Sequence, residues 1–154
     1  MSKKKTTEDP YGSLSESRDL MAMYAAQALN SPLLTREEEQ VLAIKIQKWK
    51  NSRKAGQGTR KAGEEARETM ILSNLRLVVN VSRKYRGRMD DIDLISEGNI
   101  GLATAADKYK PGVVAKNGNV VKFSTYAVWW IKQSILRAIA NKANIIRLPA
   151  HYQG

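Results

Sequence analysis

The chain has no cysteine, a single histidine and a single phenylalanine, and only 15 acidic residues against 26 lysines and arginines. Without cysteine there are no disulfides and no thiolate zinc sites, and His151 alone leaves little for metal ligation or acid–base chemistry. No apolar run approaches the ~18 residues of a membrane-spanning helix. The opening MSKKKTTEDP lacks the basic-then-apolar pattern of a secretory signal, which points to a reducing, cytoplasmic setting. What is abundant is positive charge, a formal +11. Such a surface calls for a polyanionic partner, nucleic acid ahead of an acidic protein or an anionic membrane. Residues 106–154 carry eight of the basic side chains and one acid, Asp107, so +7 of the +11 lies in the last third. The length, 154 residues, suits one domain with a small appendage.

Periodicity divides the chain into helices. Residues 1–17 are polar and turn-rich and read as a disordered tail. RDLMAMYAAQAL (18–29) places Leu20, Met23, Tyr24 and Gln27 at helical spacing before Asn30-Ser31-Pro32. TREEEQVLAIKIQKWK (35–50) opens on a capping-box pair, Thr35 and Glu38, and predicts an apolar stripe through Val41, Leu42, Ile44, Ile46 and Trp49. The basic, glycine-rich 51–63 reads as a flexible loop. A long helix is expected over 64–88, with Met70, Ile71, Leu75, Val78 and Val79 on one side. Asp90, Asp91 and Asp93 sit where a helix macrodipole favours negative charge, and Gly98 and Gly101 predict a close approach to a neighbour. Residues 111–121, centred on Asn117-Gly118-Asn119, read as a loop or small hairpin. A final helix runs from Phe123 to Ile146, ended by Leu148-Pro149. The expected fold is an all-α bundle of about five helices.

The last helix bears the most informative pattern. Ala127, Ile131, Ile135 and Ile139 recur every four residues and predict its buried stripe, flanked by Trp130. Trp129 lies about a third of a turn from Trp130, so the two cannot share one core direction. Tyr126, Trp129, Gln133, Leu136 and Arg137 form a second face of aromatic, amide and cation. Aromatic rings stack on unpaired bases, glutamine hydrogen-bonds an adenine edge, and Lys122, Lys132, Arg137 and Arg147 suit phosphates. Half-buried core tryptophans and a solvated basic face are the plainer account of the same spacing.

Five blocks in order, SPLLTREEE, ILSNLRLVVNVSRKYRGR, DLISEGNIGLATAADKY, KFSTYAVWWIKQSILRAIA and IIRLPAHY, resemble the primary class of bacterial RNA polymerase sigma factors, the sigma-70 family. The resemblance covers about residues 18–152. It implies a segment (18–50) preceding the central domain, the central domain itself (64–147), and the start of the next domain or a linker (148–154). It also implies a non-enzymatic initiation factor without cofactor or membrane partner. Asp93, Ser96, Glu97 and Asn99 would contact a coiled coil of the largest polymerase subunit. Trp129 and Trp130 would wedge against the opened promoter minus-ten duplex. Tyr126 would stack on a flipped non-template adenine beside Tyr109, while Asn74, Leu77 and Ser124 would form a second base pocket. Gln133 would read the last base pair, with Lys122, Lys132, Arg137 and Arg147 on the backbone.

The chain departs from that pattern in places. Val121 stands where an aromatic usual to the adenine pocket is found, Leu136 replaces a threonine beside Gln133, Ser96 replaces a glutamine, and the segment between Tyr109 and Lys122 is about six residues longer. Because it ends at Gly154, the resemblance implies either a fragment or a minimal factor, such as a phage might encode for an infected cell, working with an upstream-recognition protein. Two other readings compete: a sigma-like competitor that occupies polymerase without directing initiation, and a metal-dependent nuclease built on Asp90, Asp91, Asp93 and Glu97.

Overall fold

The structure, a computed structural model, describes residues 22–146, with side chains as far as 142. Among these residues it is helical apart from the connections: α1 (22–30), α2 (Arg36–Asn51), α3 (Gln57–Leu72), α4 (Leu75–Ser82), a 3-10 turn (Arg83–Tyr85), α5 (Asp91–Lys108) and α6 (Phe123–Ile146). The all-α bundle expected from periodicity is therefore observed, and α6 has the span read from the sequence. The expected tail at 1–17, Arg147 and the Leu148-Pro149 stop lie outside the described residues.

Each helix has a local cause. The Thr35 hydroxyl accepts the Glu38 amide at 3.2 Å while the Glu38 carboxylate accepts the Thr35 amide at 2.9 Å, completing the capping box of α2. The helix expected over 64–88 is instead two. The Asn74 side-chain amide donates to the Met70 carbonyl at 2.7 Å, and the Asn74 backbone N–H turns to Ile71 O at 3.1 Å. An asparagine side chain competing for a backbone carbonyl is enough to end α3 and restart the chain as α4. α3 also begins seven residues before the expected start, at Gln57, so the connection to α2 is shorter than 51–63. There the chain turns back sharply, and Gly63 lies so close beneath Trp49 that an added Cβ would sit 2.3 Å from the Trp49 Cβ.

The core lies between α5 and α6, with α4 across them. Leu94, Leu102, Val78, Phe123, Ile131 and Ile135 are fully buried, each worth ~1.5–3 kcal/mol of transfer free energy. α5 and α6 approach closely because Gly101 has no side chain: a Cβ there would lie 2.6 Å from the Trp130 carbonyl oxygen. Gly98 does the same against Val78. Both glycines behave as their positions predicted.

Two apolar stripes are corrected. In α2 the buried residues are Glu39, Ala43 and Ile46, while Val41 and Ile44 are about half exposed. In α1 Ala28 is buried, whereas Met23 and Gln27 face solvent. Short helices with several apolar residues on more than one side do not reveal which side meets the core until the partner is placed.

Candidate nucleic-acid interface

The amino end of α6 is fixed from another helix. Glu39 of α2 is buried and its carboxylate accepts the Phe123 amide at 3.3 Å, satisfying one free donor of the first turn of α6. Burial raises the carboxyl above its ordinary range, opposed by the Phe123 amide and then by the charges of Lys122 and Arg36. The next residue, Gln40, holds the chain that leads into α6. Its amide donates to the Tyr109 hydroxyl at 2.8 Å, and its carbonyl accepts the Gly112 N–H at 2.7 Å. Gln47 donates to the carbonyls of Asp107 and Tyr109, closing the end of α5. Asp107 is paired with Arg67 at 2.7 Å and Lys50 at 3.6 Å. One face of α2 thus clamps the junction of α5, the intervening segment and α6.

That intervening segment is the expected hairpin. Val114 and Val120 form an antiparallel bridge, and Val121 N–H donates to Val113 O at 2.9 Å. Gly112 and Gly118 take positive φ, +77° and +81°, at its two turns.

α6 divides as its spacing predicts. Ala127, Ile131 and Ile135 are fully buried, Ile139 is half-buried against the core, and Trp129 is 56% exposed. Trp130 is partly buried and meets Trp129 edge-on, with centroids 4.9 Å apart. Tyr126 continues the row, 6.2 Å from Trp130 and 5.6 Å from Tyr109. Gln133, Leu136 and Arg137 are exposed on the following turns. Lys122 is exposed and Lys132 partly so, and among the described residues no carboxylate lies within ion-pair distance of Lys122, Lys132 or Arg137. The result is a staircase of rings edged by free cations, the composition that binds unpaired bases and phosphates.

Tyr109 is placed differently from a displayed ring. It is buried, and its hydroxyl donates to Val121 O at 2.5 Å. Burial raises the phenol above its usual range, with Glu39 adding to the rise and the Gln40 bond opposing it. The ring forms the floor of a cleft of about 160 Å³ walled by Tyr126, Val121 and Val113 and rimmed by Lys108 and Lys110. Lys108 also stands over the Trp130 ring at 4.6 Å. Sequence reasoning missed Lys108, Lys110 and Val113 here, as it missed Glu39 and Gln40; the i, i+4, i+7 row Glu39, Ala43, Ile46 was the available signal for the buried carboxylate.

The residues of the second expected base pocket lie on three elements. Asn74 spends its amide on Met70, Leu77 packs against the core, and Ser124 sits on the first turn of α6. On α5, Asp93 and Ser96 are exposed and Glu97 is half-exposed. Asn99, partly buried, is bonded to α1, its carbonyl oxygen accepting the Tyr24 hydroxyl at 2.7 Å, and burial holds that phenol up at about 12. Ile100, not anticipated, is exposed on the same helical face as Asp93 and Ser96. The acids at 90–97 do not converge: among the described residues no three His, Asp or Glu side chains are grouped to hold a metal. No helix among the described residues is long and apolar enough to cross a membrane.

Comparison with known proteins fits this geometry. Sequence models of sigma-70 factor region 1.2 and of sigma-70 region 2 match residues 19–52 and 70–145. RNA polymerase sigma factor SigA4 of Synechococcus elongatus is 41% identical over 142 residues, 86% of this chain and 44% of that protein. The principal sigma factor HrdD of Streptomyces viridifaciens is 40% identical over 152 residues, 87% of this chain and 43% of that one. SigA of Clostridium acetobutylicum is 43% identical over 134 residues, 86% of this chain and 30% of that one. The chain therefore spans less than half the length of these relatives. With α2 inside the first match, and α5 and all but the last residue of α6 inside the second, the chain belongs to the sigma-70 family of RNA polymerase sigma factors.

Proposed function

We propose that this chain docks on core RNA polymerase and opens the promoter minus-ten element by capturing flipped non-template bases, using binding energy and no chemistry of its own. The observation that carries the reading is the exposed Trp129 on a helix whose opposite side is fully buried, in line with Tyr126 and Gln133. An exposed indole on a basic helix replaces stacking that a base loses on leaving the duplex, worth ~1–3 kcal/mol per base. Gln133 stands two turns nearer the duplex side of the row, with exposed Leu136 beside it to meet a thymine methyl. Lys122, Lys132 and Arg137 hold phosphates, so binding of free duplex falls steeply with salt.

Asp93, Ser96, Glu97 and Ile100 share one face of α5 and make the polymerase contact, a mixed acidic and apolar patch for a partner helix pair. Run-off transcription with purified core enzyme on an A/T-rich promoter tests the proposal. A transcript that depends on this chain and is lost in Glu97→Lys supports it. Polymerase binding with no transcript makes the chain a competitor for the sigma site instead.

A further inference from the structure

The cleft beside Tyr126 has a chemistry of its own, and this inference rests on the base-capture reading just given. Its wall is aliphatic and comes from both strands of the hairpin, Val113 and Val121, held in register by the Val121 N–H to Val113 O bond. Gln40 fixes the base of that hairpin at two points, Gly112 N–H and the Tyr109 hydroxyl, so the wall is set before any ligand arrives. Among the described residues no carboxylate or carboxamide lines the cleft. The Tyr109 hydroxyl is already committed, donating to Val121 O and accepting from Gln40. The nearest buried acid, Glu39, lies in a neighbouring cleft behind Val121 and is bound to Phe123 N–H. The charged groups among its described lining residues are two ammoniums, Lys108 and Lys110, and Lys108 stands over Trp130.

A pocket with an aromatic floor, an aliphatic wall and donors at its rim matches one base better than the others. Thymine presents carbonyl acceptors and a methyl group, whereas adenine presents an exocyclic amino donor beside its ring acceptors and has no methyl. We propose that the hairpin converts this cleft into a thymine-selective base pocket, with Lys110 donating to a thymine carbonyl and Val113 and Val121 packing on the 5-methyl group. The selectivity thus departs from the adenine that the family resemblance implies, and Lys110 and Val113 are its specificity determinants.

The test uses the full chain and single strands of abasic spacer carrying one thymine, uracil or adenine, with binding followed by fluorescence anisotropy at low salt. Thymine should bind about fourfold tighter than uracil, the effect of one buried methyl. It should bind about tenfold tighter than adenine. Val113→Ala should reduce the thymine-over-uracil ratio and leave the uracil-over-adenine ratio unchanged. Lys110→Gln, at an exposed position, should lower the thymine-over-adenine ratio while leaving thymine-over-uracil unchanged; an equal loss for all three strands would instead mark a phosphate contact and overturn the assignment of Lys110. Adenine binding as well as or better than thymine overturns the inference while leaving base capture standing. If no base improves on the all-abasic strand, and Tyr126→Ala changes nothing, base capture falls with it.

Discussion

Helix α6 is much richer in apolar side chain than α2, and the two also use it in opposite ways. In α6 the aliphatic residues at four-residue spacing go inward, Trp129 and the Gln133 amide go outward, and Tyr126 and Trp130 lie half-buried between them. In α2 two aliphatics, Val41 and Ile44, face solvent while a carboxylate, Glu39, is buried. The difference is one of task. α6 packs along its length on α5 and leaves one face free, whereas α2 serves as a bracket whose inner face must satisfy backbone donors of other elements. A buried acid that accepts an otherwise free helix N–H is the polar cost of placing α6 where its outer face is presented.

The contrast can be broken most severely at the α5–α6 contact. Gly101→Val forces a side chain into the Trp130 carbonyl and the Ile131 backbone, and we expect a loss of ~3 kcal/mol or more in urea melts, with the helix pair driven apart. Ile135→Ala leaves a cavity under the outer face and should cost ~2–5 kcal/mol. If α2's outer aliphatics are surplus to folding, Ile44→Ser should change stability by no more than ~0.5 kcal/mol. A loss as large as that of Ile135→Ala would show that the α2 stripe is closed by something else.

The smallest effect is a pH dependence. Because burial raises the Glu39 carboxyl in the folded chain, the folded state holds that proton to higher pH than the unfolded chain does. Its contribution therefore makes stability fall as pH rises from the ordinary value of 4.5 through the raised folded value, and flatten above it. Glu39→Gln keeps an acceptor for Phe123 N–H and removes the proton, so the slope attributable to this residue should vanish in melts taken across the acid range. A steeper slope in the variant would contradict the burial of Glu39.

Much of this was legible in the residues. The span and two faces of α6 followed from strict four-residue spacing and adjacent tryptophans, and Gly98 and Gly101 announced the close helix pair. The capping box at Thr35 and Glu38 was readable because its donors and acceptors are local. What stayed hidden was non-local. Nothing within residues 36–50 shows that Glu39 and Gln40 meet a segment more than seventy positions away. The Asn74 break looked like a helix interior because its apolar neighbours kept the helical period on both sides. The pocket chemistry of Lys108, Lys110 and Val113 appears only once the hairpin is folded back beside Tyr126.

The central claim is that α6 is a core helix on one side and a strand-opening surface on the other. Potassium permanganate footprinting of promoter thymines with core polymerase, run beside thermal melts of Trp129→Ala and Ile135→Ala, tests both sides at once. The account predicts that Trp129→Ala melts within ~0.5 kcal/mol of the parent chain while permanganate reactivity at the minus-ten thymines is lost. Trp129→Ala destabilising the chain as much as Ile135→Ala, with thymine reactivity intact, would contradict it and make the tryptophan a packing residue.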